Sequence, residues 1–310
     1  MKWTAVLRGS LVLGSLALMA GCEEEPLVCP EDPNITPQAG VRGMGGTNGL
    51  DTETFHKIWE DFFAVTQAPI TDLAMAPEKG HSYEVSEVLK ETFLKDRPER
   101  ELYEAVFSHA MACALPAGVT LLNGDEQYEG GGILTTTKGW YKGPLEKIQA
   151  EDLFACMAVL LNPVWTGVPV FLSGPSVGTD EDSEGFELVE AVWTVDIDPA
   201  GRPYYHVWPI LDVAAKTSCW PDAGNEDDPW RWRLCGPGAT DCGLEVRHSF
   251  EEDCTPVEFY HEGQLTTDEG HFECAAPPAP KQPNGPRKAA IQTRLRGVCD
   301  LDKLFCPAPQ

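Results

Sequence analysis

Val189-Glu190-Ala191-Val192-Trp193-Thr194-Val195-Asp196-Ile197, followed by Asp198-Pro199-Ala200-Gly201 and a second run from Tyr204 to Leu211, is the stretch that decides the fold. In the first run Val189, Ala191, Trp193, Val195 and Ile197 alternate with Glu190, Val192, Thr194 and Asp196, which is the period of a strand. Two such runs joined by a Pro/Gly turn predict a β-hairpin. Ala290 to Val298 alternates in the same way, with Ile291, Thr293 and Leu295 on one face and Gln292, Arg294 and Arg296 on the other. The C-terminal half therefore reads as β-rich, with Pro277 to Pro286 as an inserted loop.

Towards the N-terminus the spacing of apolar residues changes from two to three and four. Thr52 to Thr66 places Phe55, Ile58, Trp59, Phe62 and Phe63 on one side, and a further helix is expected around Val85 to Lys95. Pro98 to Leu115 carries Leu102, Ala105, Val106, His109, Ala110 and Cys113 in one stripe, with Pro98 suited to a first turn. Glu151 to Leu161 carries Leu153, Cys156, Met157 and Leu160 and is stopped by Asn162-Pro163. Between these two helices, Tyr128 to Lys138, with three consecutive glycines, reads as a turn and a strand. The expected class is α+β, a helix-rich N-terminal half packed on a disulfide-stapled antiparallel β-rich C-terminal half. Its modules would span 51–175 and 186–310, or one continuous domain 51–310.

Among 310 residues, 49 acidic side chains oppose 23 Lys and Arg, a net charge of −26 spread along the chain. Such a surface repels phosphate backbones and anionic bilayers, so nucleic acid is not an expected partner.

Residues 1–21 have the make-up of an export signal: Lys2 and Arg8, a short apolar core from Gly9 to Leu18, then small residues. The core is too short to span a bilayer. Leu18-Met19-Ala20-Gly21-Cys22 resembles the lipobox of bacterial lipoproteins, which implies cleavage before Cys22 and acylation of that cysteine. More than one acyl chain makes such anchoring stable, so the implied partner is a membrane, reached through the N-terminal lipid. Glu23 follows, where enteric lipoproteins retained at the inner membrane carry Asp, which implies a cell-envelope, outer-membrane address. Residues 22–50, rich in Gly, Pro and Glu, read as a flexible tether.

Setting Cys22 aside leaves ten cysteines: Cys29, Cys113, Cys156, Cys219, Cys235, Cys242, Cys254, Cys274, Cys299 and Cys306. An even number in an exported chain predicts five disulfides. No C-x2-C pair exists, which argues against structural zinc. Helical phase supports one pairing, Cys113 with Cys156, joining two helices through their packed faces; the closed loop is worth about 4 kcal/mol in the chain-entropy model.

Several clusters could carry chemistry. Gly174-Pro175-Ser176-Val177-Gly178 fits the G-x-S-x-G nucleophile elbow after a short apolar run, which makes Ser176 the candidate nucleophile of a hydrolase, although an acidic, turn-like stretch follows instead of a helix-forming one. A carboxylate pair is the other route to hydrolysis. Asp180, Asp182 and Glu184, with Gly185, reproduce the opening of a calcium loop, but position twelve is Ala191; calcium is the one cofactor the sequence suggests. Trp208, Trp220, Trp230 and Trp232 belong to an aromatic cluster that would stack on sugars or anchor a protein partner if exposed, and would be core if buried. In Trp230-Arg231-Trp232-Arg233 the two indoles are expected on one strand face and the two guanidiniums on the other.

Cys113-Ala114-Leu115-Pro116, the Trp140 loop, Ala155-Cys156, Glu190-Ala191-Val192-Trp193, and Arg233-Leu234-Cys235 through Ala239-Thr240-Asp241-Cys242 together resemble the cysteine-rich exported ADYC-domain proteins of myxobacteria. The eponymous Ala-Asp-Tyr-Cys stands here as Ala-Thr-Asp-Cys. The resemblance covers about residues 100–300 and implies no activity. The expectation is a lipid-anchored envelope protein with a non-enzymatic binding or structural role and a protein or carbohydrate partner; the alternative is a hydrolase on the same anchor.

Overall fold

The computed structural model describes residues 52–306 apart from 74–76, 96–97, 162–167, 169, 179–185, 187, 212–216, 218, 220–224, 237–241, 262–263, 276–286, 296–299 and 301–303. The chain divides into Met1–Asp32 and Pro33–Gln310, and every described residue belongs to the second unit. Cys22, Cys29, Cys299, Trp220, the calcium candidates Asp180, Asp182 and Glu184, and the expected loop at Pro277 to Pro286 lie outside the described residues.

The fold is α+β. Its helices are α1 (Thr52–Thr66), α2 (Glu87–Thr92), α3 (Arg100–Ala114), α4 (Lys147–Leu160), α5 (Asp228–Cys235) and α6 (Phe250–Asp253). Its strands are β1 (Ser82–Glu84), β2 (Thr120–Asn123), β3 (Glu126–Glu129), β4 (Phe171–Ser173), β5 (Leu188–Ile197), β6 (Pro203–Pro209), β7 (Leu244–Val246), β8 (Cys254–His261), β9 (Gln264–Cys274) and β10 (Lys288–Leu295). The first three form a small sheet in the order β1-β2-β3. The other seven form a sheet in the order β7-β6-β5-β10-β9-β8, with β4 also paired to β10. The hairpin expected at 189–211 is β5 and β6, antiparallel, with Trp193 opposite Val207.

The alternation along β5 sorts the interior. Ala191, Trp193, Val195 and Ile197 join α1, α3 and α4 in one large core, in which Phe154 of α4 packs on Phe55 and Phe62 at ring separations of 6.0 and 5.3 Å. Val192, on the other face, joins Trp208, Cys254, Cys274 and Ala290 in a second, smaller core. The helical and β-rich halves thus share one interior.

Helix ends are closed by side chains and backbone from distant segments, as the four orphan carbonyls of each C-terminus require. At α3, Ala112, Cys113 and Leu115 accept from the amides of Gly131, Leu134 and Gly132 at 3.0, 2.9 and 2.7 Å, and Ala114 accepts from the Thr137 hydroxyl at 2.8 Å. The three glycines read as a turn and strand are instead a strap, running from the end of β3 to a 3-10 turn at Thr136–Gly139. A Cβ on Gly131 would lie 2.5 Å from the Ala112 carbonyl oxygen, which is why the strap has none there. Helix α4 starts earlier than its apolar stripe suggests because Glu146 and Gln149 form a capping box.

The Trp230-Arg231-Trp232-Arg233 segment is helix α5, not a strand. Pro229 sits in its first turn and Gly236 closes it at φ 77°, and Trp230, Arg233 and Leu234 are buried at helical spacing. Arg233 is completely buried. It pairs with the equally buried Glu190 of β5 and donates to Val159 O of α4 at 2.8 Å. Its guanidinium lies 5.2 and 5.3 Å from the ring centres of Trp193 and Phe305. In return, α1 caps α5: the Thr52 hydroxyl donates to Arg233 O and the His56 ring meets Leu234 O, both at 3.0 Å.

All eight described cysteines are paired: Cys113–Cys156, Cys219–Cys306, Cys235–Cys242 and Cys254–Cys274. The first joins α3 to α4 through their packed faces with a Cα separation of 6.2 Å, as helical phase requires. The last ties directly opposed residues of the β8–β9 hairpin. Among the described residues no helix is long and apolar enough to cross a membrane.

Candidate functional site

Ser176 lies in a turn after β4 and is 1% exposed. Its carbonyl accepts from the Thr135 amide and hydroxyl at 2.8 and 3.1 Å, Val177 bridges Leu134, and the Gly178 amide donates to Ile133 O at 2.9 Å. The residues directly after the serine are therefore clamped to another segment as a β-bridge, where a nucleophile elbow needs them to start a helix. The imidazoles of His56, His81, His109, His206 and His248 have their partners elsewhere, at Leu234, Lys79, Ala105, the Asp196/Glu245 pair and Asp227. One ionisable neighbour of Ser176 is a carboxylic acid. Asp152 of α4 accepts from the Thr136 hydroxyl at 2.9 Å and is pushed up to about 6, first by burial and further by Glu151, against the pull of the Thr136 and Ser176 hydroxyls. The Ser176 hydroxyl lies beside that carboxyl without the geometry of a full hydrogen bond. The chain after Ser176 thus continues as a β-bridge and not as the helix a nucleophile elbow requires.

The aromatic candidates divide. Trp208 is 0% and Trp230 2% exposed, and Trp193 packs edge-on against Trp230 at 5.6 Å. Rings that solvent cannot reach cannot stack on a sugar, so Trp208 and Trp230 are core and not a binding face. Trp232 is half-buried, and Tyr204 of β6 is an exposed ring with Arg202 over it at 5.4 Å. Among the described residues no group of three or more His, Cys, Asp or Glu could hold a metal ion.

The most organised polar feature is one that no sequence motif marks. Eight charges of alternating sign run from α4 across the large sheet. Lys147 meets Glu151 at 3.5 Å, and Glu151 meets Lys288 of β10 at 2.8 Å. Lys288 pairs with Asp196 of β5, and Asp196 lies 3.2 Å from His206 of β6. His206 lies 3.2 Å from Glu245 of β7, Glu245 meets Arg247 at 2.9 Å, and Arg247 meets Asp253 of α6 at 2.8 Å. Asp253 closes the run by accepting from the Trp208 indole at 3.0 Å and the Ser249 hydroxyl at 2.6 Å. Strand register brings these groups together: His206 is directly opposite Glu245, and the β10–β5 pairing carries Lys288 to Asp196.

The electrostatics follow from the alternation. Burial works against the charge on His206, but hydrogen bonding and attraction from Asp196 and Glu245 outweigh it, so its pKa is raised. Asp196 is lowered despite burial by His206 and Lys288, Glu245 is lowered chiefly by His206, and Asp253 is lowered despite burial by Arg247, Ser249 and Trp208. The ladder is neutral when His206 carries both protons. Its first member, Lys147, also lines a shallow groove of about 250 Å³ whose apolar floor includes Phe63, Leu145, Ile197 and Pro199. Each charge on the ladder is met by one of opposite sign, so the chemistry the arrangement displays is cohesion and proton uptake.

No protein-family model, no curated protein and no solved structure matches the chain.

Proposed function

We propose that the protein is an exported, lipid-anchored envelope protein whose disulfide-stapled body serves a non-enzymatic binding or structural role at the membrane surface. The observation that carries this reading is the pairing of all eight described cysteines in four disulfides, which belongs to an oxidising compartment. It is supported by the export signal and the Leu18-Met19-Ala20-Gly21-Cys22 lipobox, and by the resemblance to exported ADYC-domain proteins. The β-bridge that follows the buried Ser176, in place of a helix, supports a binding or structural role over serine-type hydrolysis. Glu23 after Cys22 supports an outer-membrane address for the proposed anchor.

Fractionation tests it. In the native host the chain is expected with the outer-membrane fraction, and Cys22→Ser is expected to move it out of the membrane pellet. A wild-type chain found soluble in the cytoplasm with reduced thiols would contradict the proposal.

A further inference from the structure

We infer that His206 is a proton-dependent latch that holds the edge strand β7 on the sheet, engaged while the imidazole carries both protons and released when one leaves. Strand β7 is three residues long, lies at the end of the sheet, and among the described residues pairs only with β6 in it. Its register sets Glu245 opposite His206, so the ring stands between a carboxylate of β5 and a carboxylate of β7, each at 3.2 Å. Both are ion-pair contacts without the full geometry of a hydrogen bond, so a doubly protonated imidazole attracts both carboxylates by its charge, whereas a neutral one offers an N–H towards one and a lone pair towards the other. One carboxylate must then be repelled.

The surroundings decide which. Asp196 is also held by Lys288, which is held in turn by Glu151 of α4. Glu245 is about half exposed and shares Arg247, which Asp253 of α6 also binds. The uncharged neighbours are Thr194, directly across from His206 on β5, and the Trp208 ring at 6.4 Å on the same strand. Glu245, 48% exposed, can swing into water at little cost, whereas Asp196, 13% exposed, would have to leave a buried place and its pairing with Lys288. Deprotonation therefore frees Glu245 and leaves β7 with its short backbone pairing, the Arg247–Asp253 bridge and the Cys235–Cys242 staple just before it.

The sign of the pH dependence is set by the histidine being raised in the fold. The stabilisation is complete below the ordinary histidine range and is lost as pH rises through the raised value. Amide hydrogen exchange on the disulfide-intact protein between pH 5.5 and 9, corrected for intrinsic rates, reads this directly. Peptides covering 243–249 are expected to lose protection by up to about tenfold per pH unit across that window, while peptides covering 189–196 hold theirs. In His206→Gln the transition is expected to vanish, with 243–249 weakly protected throughout. In Glu245→Gln, a substitution at a half-exposed position, the transition is expected at lower pH. Flat protection of 243–249 in the wild type, an unchanged transition in His206→Gln, or an unmoved one in Glu245→Gln would each overturn the inference.

Discussion

At the scale of single residues, two buried ionisable groups pull stability in opposite directions. His109 of α3 is 1% exposed; its Nδ1 meets Ala105 O at 2.7 Å, and burial brings it down to about 4. Its folded value lies below the ordinary one of about 6.5, so its contribution is complete above 6.5 and is lost as pH falls towards 4. Asp152 lies at about 6 in the fold, above its ordinary value, mainly through burial, so its contribution is complete in acid and is lost as pH rises through 6. Each window is worth about 3 kcal/mol, and the two slopes oppose each other between pH 4 and 6. Urea denaturation across that range is expected to show His109→Leu gaining stability in acid relative to wild type, and Asp152→Asn losing it. Parallel profiles for all three proteins would refute the assignment. Gly131 is a third position where one atom decides the outcome. A methyl there would meet the Ala112 carbonyl at 2.5 Å, so Gly131→Ala is expected to lower stability by roughly 2 kcal/mol through displacement of backbone.

At the scale of elements, α5 is pinned by Arg233, and its energetics can be separated by a mutant cycle. Arg233→Met leaves Glu190 buried and unpaired and is expected to destabilise by about 3–5 kcal/mol, whereas Arg233→Met with Glu190→Leu is expected to recover most of that loss. Additive losses in the denaturation midpoints would contradict a paired role. The same helix shows what local reading can and cannot see. The alternation Trp230-Arg231-Trp232-Arg233 looks like a strand over four residues, yet Pro229 and Gly236 set helix boundaries and the buried positions fall at i, i+3 and i+4. The long stripe of α3 and the shorter one of α4 were legible because each spans several turns, and phase alone put Cys113 and Cys156 on facing sides. The β5–β6 hairpin was legible because period two and the turn chemistry agreed. The charge ladder was not, because its members lie between residues 147 and 288 and meet only through the register of β10 on β5 and β7 on β6. The serine at 176 had the right neighbours in sequence, but the clamp formed by residues 133–135 determined its backbone, and no window around the motif contains that clamp.

At the scale of the whole molecule, the core shared by α1, α3, α4 and the large sheet is stapled four times among the described residues, which suits the extracytoplasmic setting proposed above. Removing Cys113 and Cys156 together by substitution with Ala is expected to cost about 2–4 kcal/mol while leaving the circular dichroism spectrum intact, since the packed helix faces remain. The most direct measurement of the central proposal is the mass of the N-terminal peptide of the protein isolated from its own host's membranes without reduction. A peptide that begins at Cys22 and carries acyl chains, on a chain with no free thiol, is the expected result; a peptide that retains residues before Cys22, or an unmodified Cys22, would contradict it.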